Sequence, residues 1–193
     1  MDITEYRRII RPLLGDYRFH HSVCVSEAAC ELARQYGADE DKAQLAGILH
    51  DIMKDIPHDE QLGRMREYGV TLTEVELHAP KLWHAMLGAA YLHRVLGISD
   101  PEVLDAVRYH TTGRAHMTLM DKIIFTADFI SADRTYSGVK QFRKMAKESL
   151  EKVMHAELAY TIESLAKDGV PIHPDTLAAY NECSLEMITT KKG

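Results

Sequence analysis

Residues 46–55 read Ala46-Gly47-Ile48-Leu49-His50-Asp51-Ile52-Met53-Lys54-Asp55, an apolar run with an imidazole and a carboxylate side by side at its centre. Upstream, Asp39 is placed to cap a helix, and Ala43, Ala46 and Gly47 let neighbouring helices approach it closely. That helix reaches His50-Asp51, so the pair arrives at a helix end inside a crowded interior. The same combination recurs on both sides. His21 shares a helical face with Val25, Ala28, Leu32 and Tyr36. His84 falls on another apolar stripe, His110 lies with Val103, Ala106 and Val107, and Asp128 lies with Ile124 and Phe125. In chain order the pattern is His, His-Asp, His, His, Asp.

The rest of the chain reads as helices from end to end. Asp2-Ile3-Thr4-Glu5 has the form of a capping box opening a first helix that Gly15 closes. Asp16 is expected to cap a second helix running to about Tyr36 and stopped by Gly37. Further helices are expected over His58 to Tyr68 and from Pro80 to about Leu96. Asp100-Pro101 reads as an N-cap followed by a first-turn proline. His110-Thr111-Thr112-Gly113-Arg114 then breaks the chain, Thr118 opens another helix, and Gly138 to Gly169 reads as mostly helix. A turn over Pro171 to Thr176 precedes a last helix that fades into Lys191-Lys192-Gly193. With no alternating strand, repeat or low-complexity linker, the spacing predicts an all-α helical bundle, residues 1–193 forming a single domain.

Composition narrows the function. The chain has 193 residues, a net charge of -6 and no basic stripe, which argues against nucleic acid as a partner. Cys24, Cys30 and Cys183 form an odd, sparse set that suits small buried hydrophobes in a reducing compartment better than a disulfide framework. The opening MDITEYRRII carries acids and lacks an apolar signal core, and no apolar run approaches a membrane span. A cytoplasmic protein with no membrane partner is the expectation.

Any one of these histidines, taken alone, reads as a core residue satisfied by a hydrogen bond. Six inward-facing groups, each costly to bury without a partner, read as a metal site. Nitrogen and oxygen donors without thiolate disfavour structural zinc and suit iron, manganese or magnesium. Six ligands exceed what one ion needs if it keeps a position open for water, and a carboxylate can bridge. Two divalent ions are therefore expected. His21, His50, Asp51 and Asp128 would hold one; the second would share Asp51 and add His84 and His110.

The chain resembles the HD-domain superfamily of metal-dependent phosphohydrolases and, within it, the YqeK-type symmetrical bis(5'-nucleosyl)-tetraphosphatases. The resemblance rests on RFHHS around His21, AGILHDIMKD around His50-Asp51, WHAMLGAAYL around His84, RYHTTGR around His110, ADFISADR around Asp128, and the C-terminal GVPIHPDT. It covers nearly the whole chain. It implies an all-helical fold, a pair of iron ions, and cleavage of diadenosine tetraphosphate into two ADP. A metal-binding core over about 18–134 and C-terminal helices over 139–190 completing a nucleotide pocket are expected with it. One departure is visible: Ser131-Ala132 stand where the family usually has Glu-Pro, while Arg134 remains.

Hydrolysis of a phosphoanhydride needs an activated water and cations along the phosphates. Asp51 is expected to bridge the metals and orient the nucleophile, and Lys54, one turn later, to reach the reacting phosphate. Arg18, Arg114 and Arg134 are candidate phosphate clamps, each equally readable as a solvated surface arginine. Substrate contacts are further expected from His21, from Thr111 (a candidate hydroxyl donor), and from Gly169, Ile172, His173 and Thr176 at the start of the last helix, where backbone N–H groups favour anions. Trp83 reads either as pocket rim or as core. The expected ligands are a dinucleoside polyphosphate and its ADP or GDP product-like halves, with a homodimer as the expected assembly. The alternatives are an HD-type 5'-nucleotidase or other nucleotide phosphohydrolase, or a nucleotide-sensing module without catalysis.

Overall fold

Several helix starts in this protein are set by short-range capping chemistry. The computed structural model describes residues 3–190, so Asp2 of the first capping box and Lys191-Lys192-Gly193 lie outside the described residues. The order is α1 (Ile3–Ile10), α2 (Asp16–Tyr36), α3 (Glu40–Leu49), α4 (His58–Glu67) and α5 (Glu74–Leu77), then a 3-10 turn over Pro80–Leu82. It continues with α6 (Trp83–Arg94), α7 (Pro101–Tyr109), α8 (Leu119–Ile130), α9 (Val139–Glu148), α10 (Leu150–Lys167) and α11 (Pro174–Thr190). Asp39 caps α3 by accepting from the Lys42 N–H at 3.0 Å, and Asp100 caps α7 through the Glu102 N–H at 3.0 Å. Thr118 and Asp121 close a reciprocal capping box on α8.

Several boundaries differ from the sequence expectation. Gly15 does not close α1, which ends at Ile10. Gly15 is extended (φ -65°), precedes α2, and donates its N–H to Asp55 Oδ2 at 2.8 Å. Asp16 is consequently the first residue of α2 and pairs with Arg11 instead of capping. Gly37 does stop α2, with φ +76°. The helix expected from Pro80 begins as a 3-10 turn and ends at Arg94. The stretch from Gly138 to Gly169 is split at Ser149, which is extended and caps α10 through the Lys152 N–H at 3.2 Å. Helix α5 was not expected at all: its single turn is held by a Thr73–Glu76 capping box. One turn is too short to show a periodicity.

Helix α2 packs along α3 and α8, α7 lies against α3, α6 and α8, and α10 is flanked by α8, α9 and α11. Fully buried Val25 and Ala29 of α2, Ala46, Ile48 and Leu49 of α3, and Ile123 and Ile124 of α8 form the centre. Burial of each large aliphatic side chain contributes about 2 kcal/mol, which offsets the cost of holding polar groups in the same interior. Gly47 decides the closest approach. A Cβ there would stand 2.8 Å from Ser26 Cα, so only glycine lets α3 lie this near α2. All three cysteines are free, Cys24 and Cys183 buried. Among the described residues no helix is long and apolar enough to cross a membrane.

Candidate metal centre

The close packing of α2 and α3 brings His21, in the second turn of α2, within 5.2 Å of His50 between ring centroids. His50 terminates α3, His84 sits in the first turn of α6, His110 terminates α7, and Asp128 lies in the last turn of α8. Five elements thus deliver side chains to one point. Donor atoms of His21, His50 and Asp51 lie within 4.8 Å of one another, as do those of Asp51, His84 and His110, and those of His50, His110 and Asp128. The six side chains form one continuous cluster.

Asp51 is at its middle. Its Oδ2 is 3.4 Å from His50 Nε2 and 3.9 Å from His21 Nε2; its Oδ1 is 3.1 Å from His84 Nε2 and 3.5 Å from His110 Nε2. Each carboxylate oxygen therefore faces a different pair of imidazoles. His21 Nε2 is also 2.9 Å from Asp128 Oδ1. Burial works against ionising Asp51, but His50, His110 and His84 hold its carboxyl well below the usual range. Burial likewise opposes the Asp128 carboxylate, and His21 and Arg134 hold it low. Burial pushes the His84 imidazole down to about 4, only partly countered by Asp51, so it is neutral near pH 7.

The outward ring nitrogens explain why the inward ones suit a metal. His50 Nδ1 lies 2.8 Å from the Gly47 carbonyl and His110 Nδ1 lies 2.7 Å from that of Val107. His21 Nδ1 is 2.8 Å from Asp133 Oδ2. An Nδ1–H donating to each acceptor leaves the Nε2 lone pair aimed inward. His50 Nε2 is buried and makes no hydrogen bond. His84 and His110 point their Nε2 atoms at each other across 3.1 Å. Inward lone pairs, two carboxylates and no thiolate fit a hard or borderline divalent cation.

Cations rim the cluster. Arg18 Nη1 is 2.6 Å from Asp51 Oδ2. Arg134 pairs with Asp128 Oδ1, donates to the Asp128 carbonyl at 2.8 Å, and lies 3.4 Å from His21 Nε2. Lys54 Nζ is 3.2 Å from both ring nitrogens of His84; burial lowers its pKa against the pull of Asp51. Beside them opens a cavity of about 380 Å³ lined by His110, Thr111, Asp128, Arg134 and the rings of Phe129, Tyr136 and Tyr160. The Thr111 hydroxyl is buried without a hydrogen-bond partner.

The remaining expected substrate residues have these surroundings. Arg114 is held by Asp121 at 2.7 Å and Asp105 at 3.0 Å, with its guanidinium 4.5 Å over the Tyr109 ring, so it braces α7 against α8. His173 Nε2 is 3.4 Å from Glu76 Oε1, and its Nδ1 accepts the Asp175 N–H at 3.1 Å. Gly169 ends α10 with φ +64°, Ile172 is half-buried, and Thr176 is buried in the first turn of α11. This segment is tied to α5 through Glu76, which also takes Arg108 at 2.9 Å. Trp83 is core: it donates to the Glu76 carbonyl at 2.6 Å and meets the His58 ring edge-on. Sequence reasoning missed Asp133 and the buried Ser131 that donates to it at 2.7 Å. The one signal was the departure at Ser131-Ala132, two residues before an unexplained acid.

The HD domain family model matches residues 18–133. The symmetrical bis(5'-nucleosyl)-tetraphosphatase of Halalkalibacterium halodurans is 41% identical over 179 residues, covering 93% of this chain and 95% of that protein. The Bacillus subtilis protein of the same name is 38% identical, covering 94% and 97%. Among solved structures, an HD superfamily hydrolase from Clostridium acetobutylicum, described as involved in NAD metabolism, superposes with a TM-score of 0.92 at 32% identity, covering 96% of this chain and 98% of that one.

Proposed function

This chain belongs to the HD domain family and, within it, to the symmetrical bis(5'-nucleosyl)-tetraphosphatases, and from that premise we propose that it hydrolyses diadenosine tetraphosphate to two ADP at the histidine–aspartate cluster. The observation that carries the reading is Asp51, with each carboxylate oxygen turned to a different pair of imidazoles. That arrangement supports two divalent ions, one on the His21, His50 and Asp128 side and one on the His84 and His110 side. Iron is the first choice, with manganese or magnesium as alternatives. Bound there, such ions supply Lewis acidity that acidifies water and neutralises phosphate charge.

The chain's own residues do the rest. Arg18 and Arg134, now paired with Asp51 and Asp128, are placed to exchange carboxylate for phosphate oxygen and clamp the chain of phosphates. Lys54 carries a cation beside His84 and stabilises charge on the phosphate under attack. The aromatic cavity takes the nucleoside of one half, with Thr111 offering its free hydroxyl. Water attacks an inner phosphorus, the central P–O–P link breaks, and the second ADP departs with its bridging oxygen. The free thiols accord with a reducing, cytoplasmic setting.

The test is to load the protein anaerobically with ferrous iron, add diadenosine tetraphosphate and resolve the products. ADP as sole product, abolished in Asp51→Ala, is expected. ATP plus AMP would move the attack to an outer phosphate and overturn symmetric cleavage.

A further inference from the structure

We propose that Asp133, clamped by Ser131, is a positioning residue that fixes His21 as a strong metal donor; this rests on the metal reading above. The three imidazoles whose Nδ1 is held outside the cluster are not held alike. His50 and His110 stand at helix C-termini, where the carbonyl three residues back is free to accept from Nδ1, and both use it. His21 lies inside α2, where the preceding carbonyls already serve the helix ladder. Its Nδ1 needs an acceptor from elsewhere in the fold. Asp133 supplies it from the loop after α8, 2.8 Å away and 112 residues along the chain.

A carboxylate is a stronger acceptor than the two peptide carbonyls. It fixes the Nδ1–H tautomer and pushes electron density toward Nε2, the atom facing Asp128. Asp133 is itself held in place. One oxygen takes the Ser131 hydroxyl at 2.7 Å and the other takes His21, and its side chain is only 5% exposed. The loop beneath is pinned by Arg143, which donates to the carbonyls of Ile130 at 2.8 Å and Arg134 at 2.9 Å. The Ser131–Asp133–His21 relay thus makes the His21 side of the cluster the one where tuning of metal affinity is concentrated.

A plain structural tie between loop and helix would predict lost stability without lost affinity. The discriminating experiment strips the full-length protein with chelator and titrates manganese by calorimetry into wild type, Asp133→Ala, Asp133→Asn and Ser131→Ala. The melting temperature of each stripped protein is read in parallel. We expect Asp133→Ala to bind its tighter manganese about 10–100-fold more weakly. Asp133→Asn, whose amide oxygen still accepts from Nδ1–H, should recover part of the loss, and Ser131→Ala should fall between. Variants matching wild-type affinity, whatever their melting temperatures, overturn the proposal. Should Asp133→Ala fail to fold, Asp133→Asn and Ser131→Ala decide by the same criterion. Wild-type protein that binds no manganese sinks the metal reading itself, whereas wild type that binds beside equally tight variants sinks only the role of Asp133.

Discussion

Glu157 is fully buried on α10, with one oxygen 3.2 Å from the Thr126 hydroxyl and the other without a hydrogen-bond partner. Burial lifts its pKa well above the usual carboxylate range; the Thr126 hydroxyl opposes this and Asp128 adds to it. The folded state keeps a proton that the unfolded chain releases above its ordinary value of 4.5. Stability from this group is therefore full below that pH and drains away as pH rises toward the folded value. Glu157→Gln should melt higher than wild type at pH 8, by about 1 to 3 kcal/mol, with the gap closing toward pH 4. Urea melts across that range check it, and a gap independent of pH would refute ionisation as the cause. Thr111 makes the complementary case. Its buried hydroxyl has no partner to lose, so Thr111→Val should keep or raise stability while raising KM for the dinucleotide about 2–10-fold. An unchanged KM would remove Thr111 from the substrate site.

At the level of elements, the contact of α2 with α3 sets the distance between His21 and His50. Gly47→Ala places a Cβ against the Ser26 backbone, and the helices must part. The expected cost is about 1 to 3 kcal/mol, accompanied by weaker manganese binding, measured by denaturant melts and calorimetry on the same protein. Thr118→Ala removes the hydroxyl half of the capping box on α8, the helix that carries Asp128 at its other end, and should cost about 1 kcal/mol without altering the ligands. These elements were legible in the sequence where their signals were local. Asp39, Asp100 and Thr118 each find their N–H within three residues, so cap and helix could be read together. Gly15 and Ser149 were not legible. The first is fixed by Asp55 from another segment, and the second breaks a continuous helical pattern by an extended backbone that no Gly or Pro announces.

Across the whole molecule, metal binding and folding are linked. If the cluster forms only in the folded chain, manganese at about a hundred times its Kd should add about 2.7 kcal/mol of stability. A melting temperature that rises with manganese, falls back on chelation and does not respond in Asp51→Ala is the expected result; a response retained in Asp51→Ala would place the ion elsewhere. By itself the sequence determined the helical class, the caps at Asp39, Asp100 and Thr118, and the six side chains that converge, because spacing along a helix and donor type are local properties. Tertiary structure alone decided how each side chain is used. Asp133 reaches His21 across 112 residues, Arg114 is taken up by Asp105 and Asp121, and His173 is drawn to Glu76. Such pairings depend on the paths of loops between helices, which no periodicity or cap encodes, and a buried charge takes whichever partner the packed fold brings within hydrogen-bonding distance.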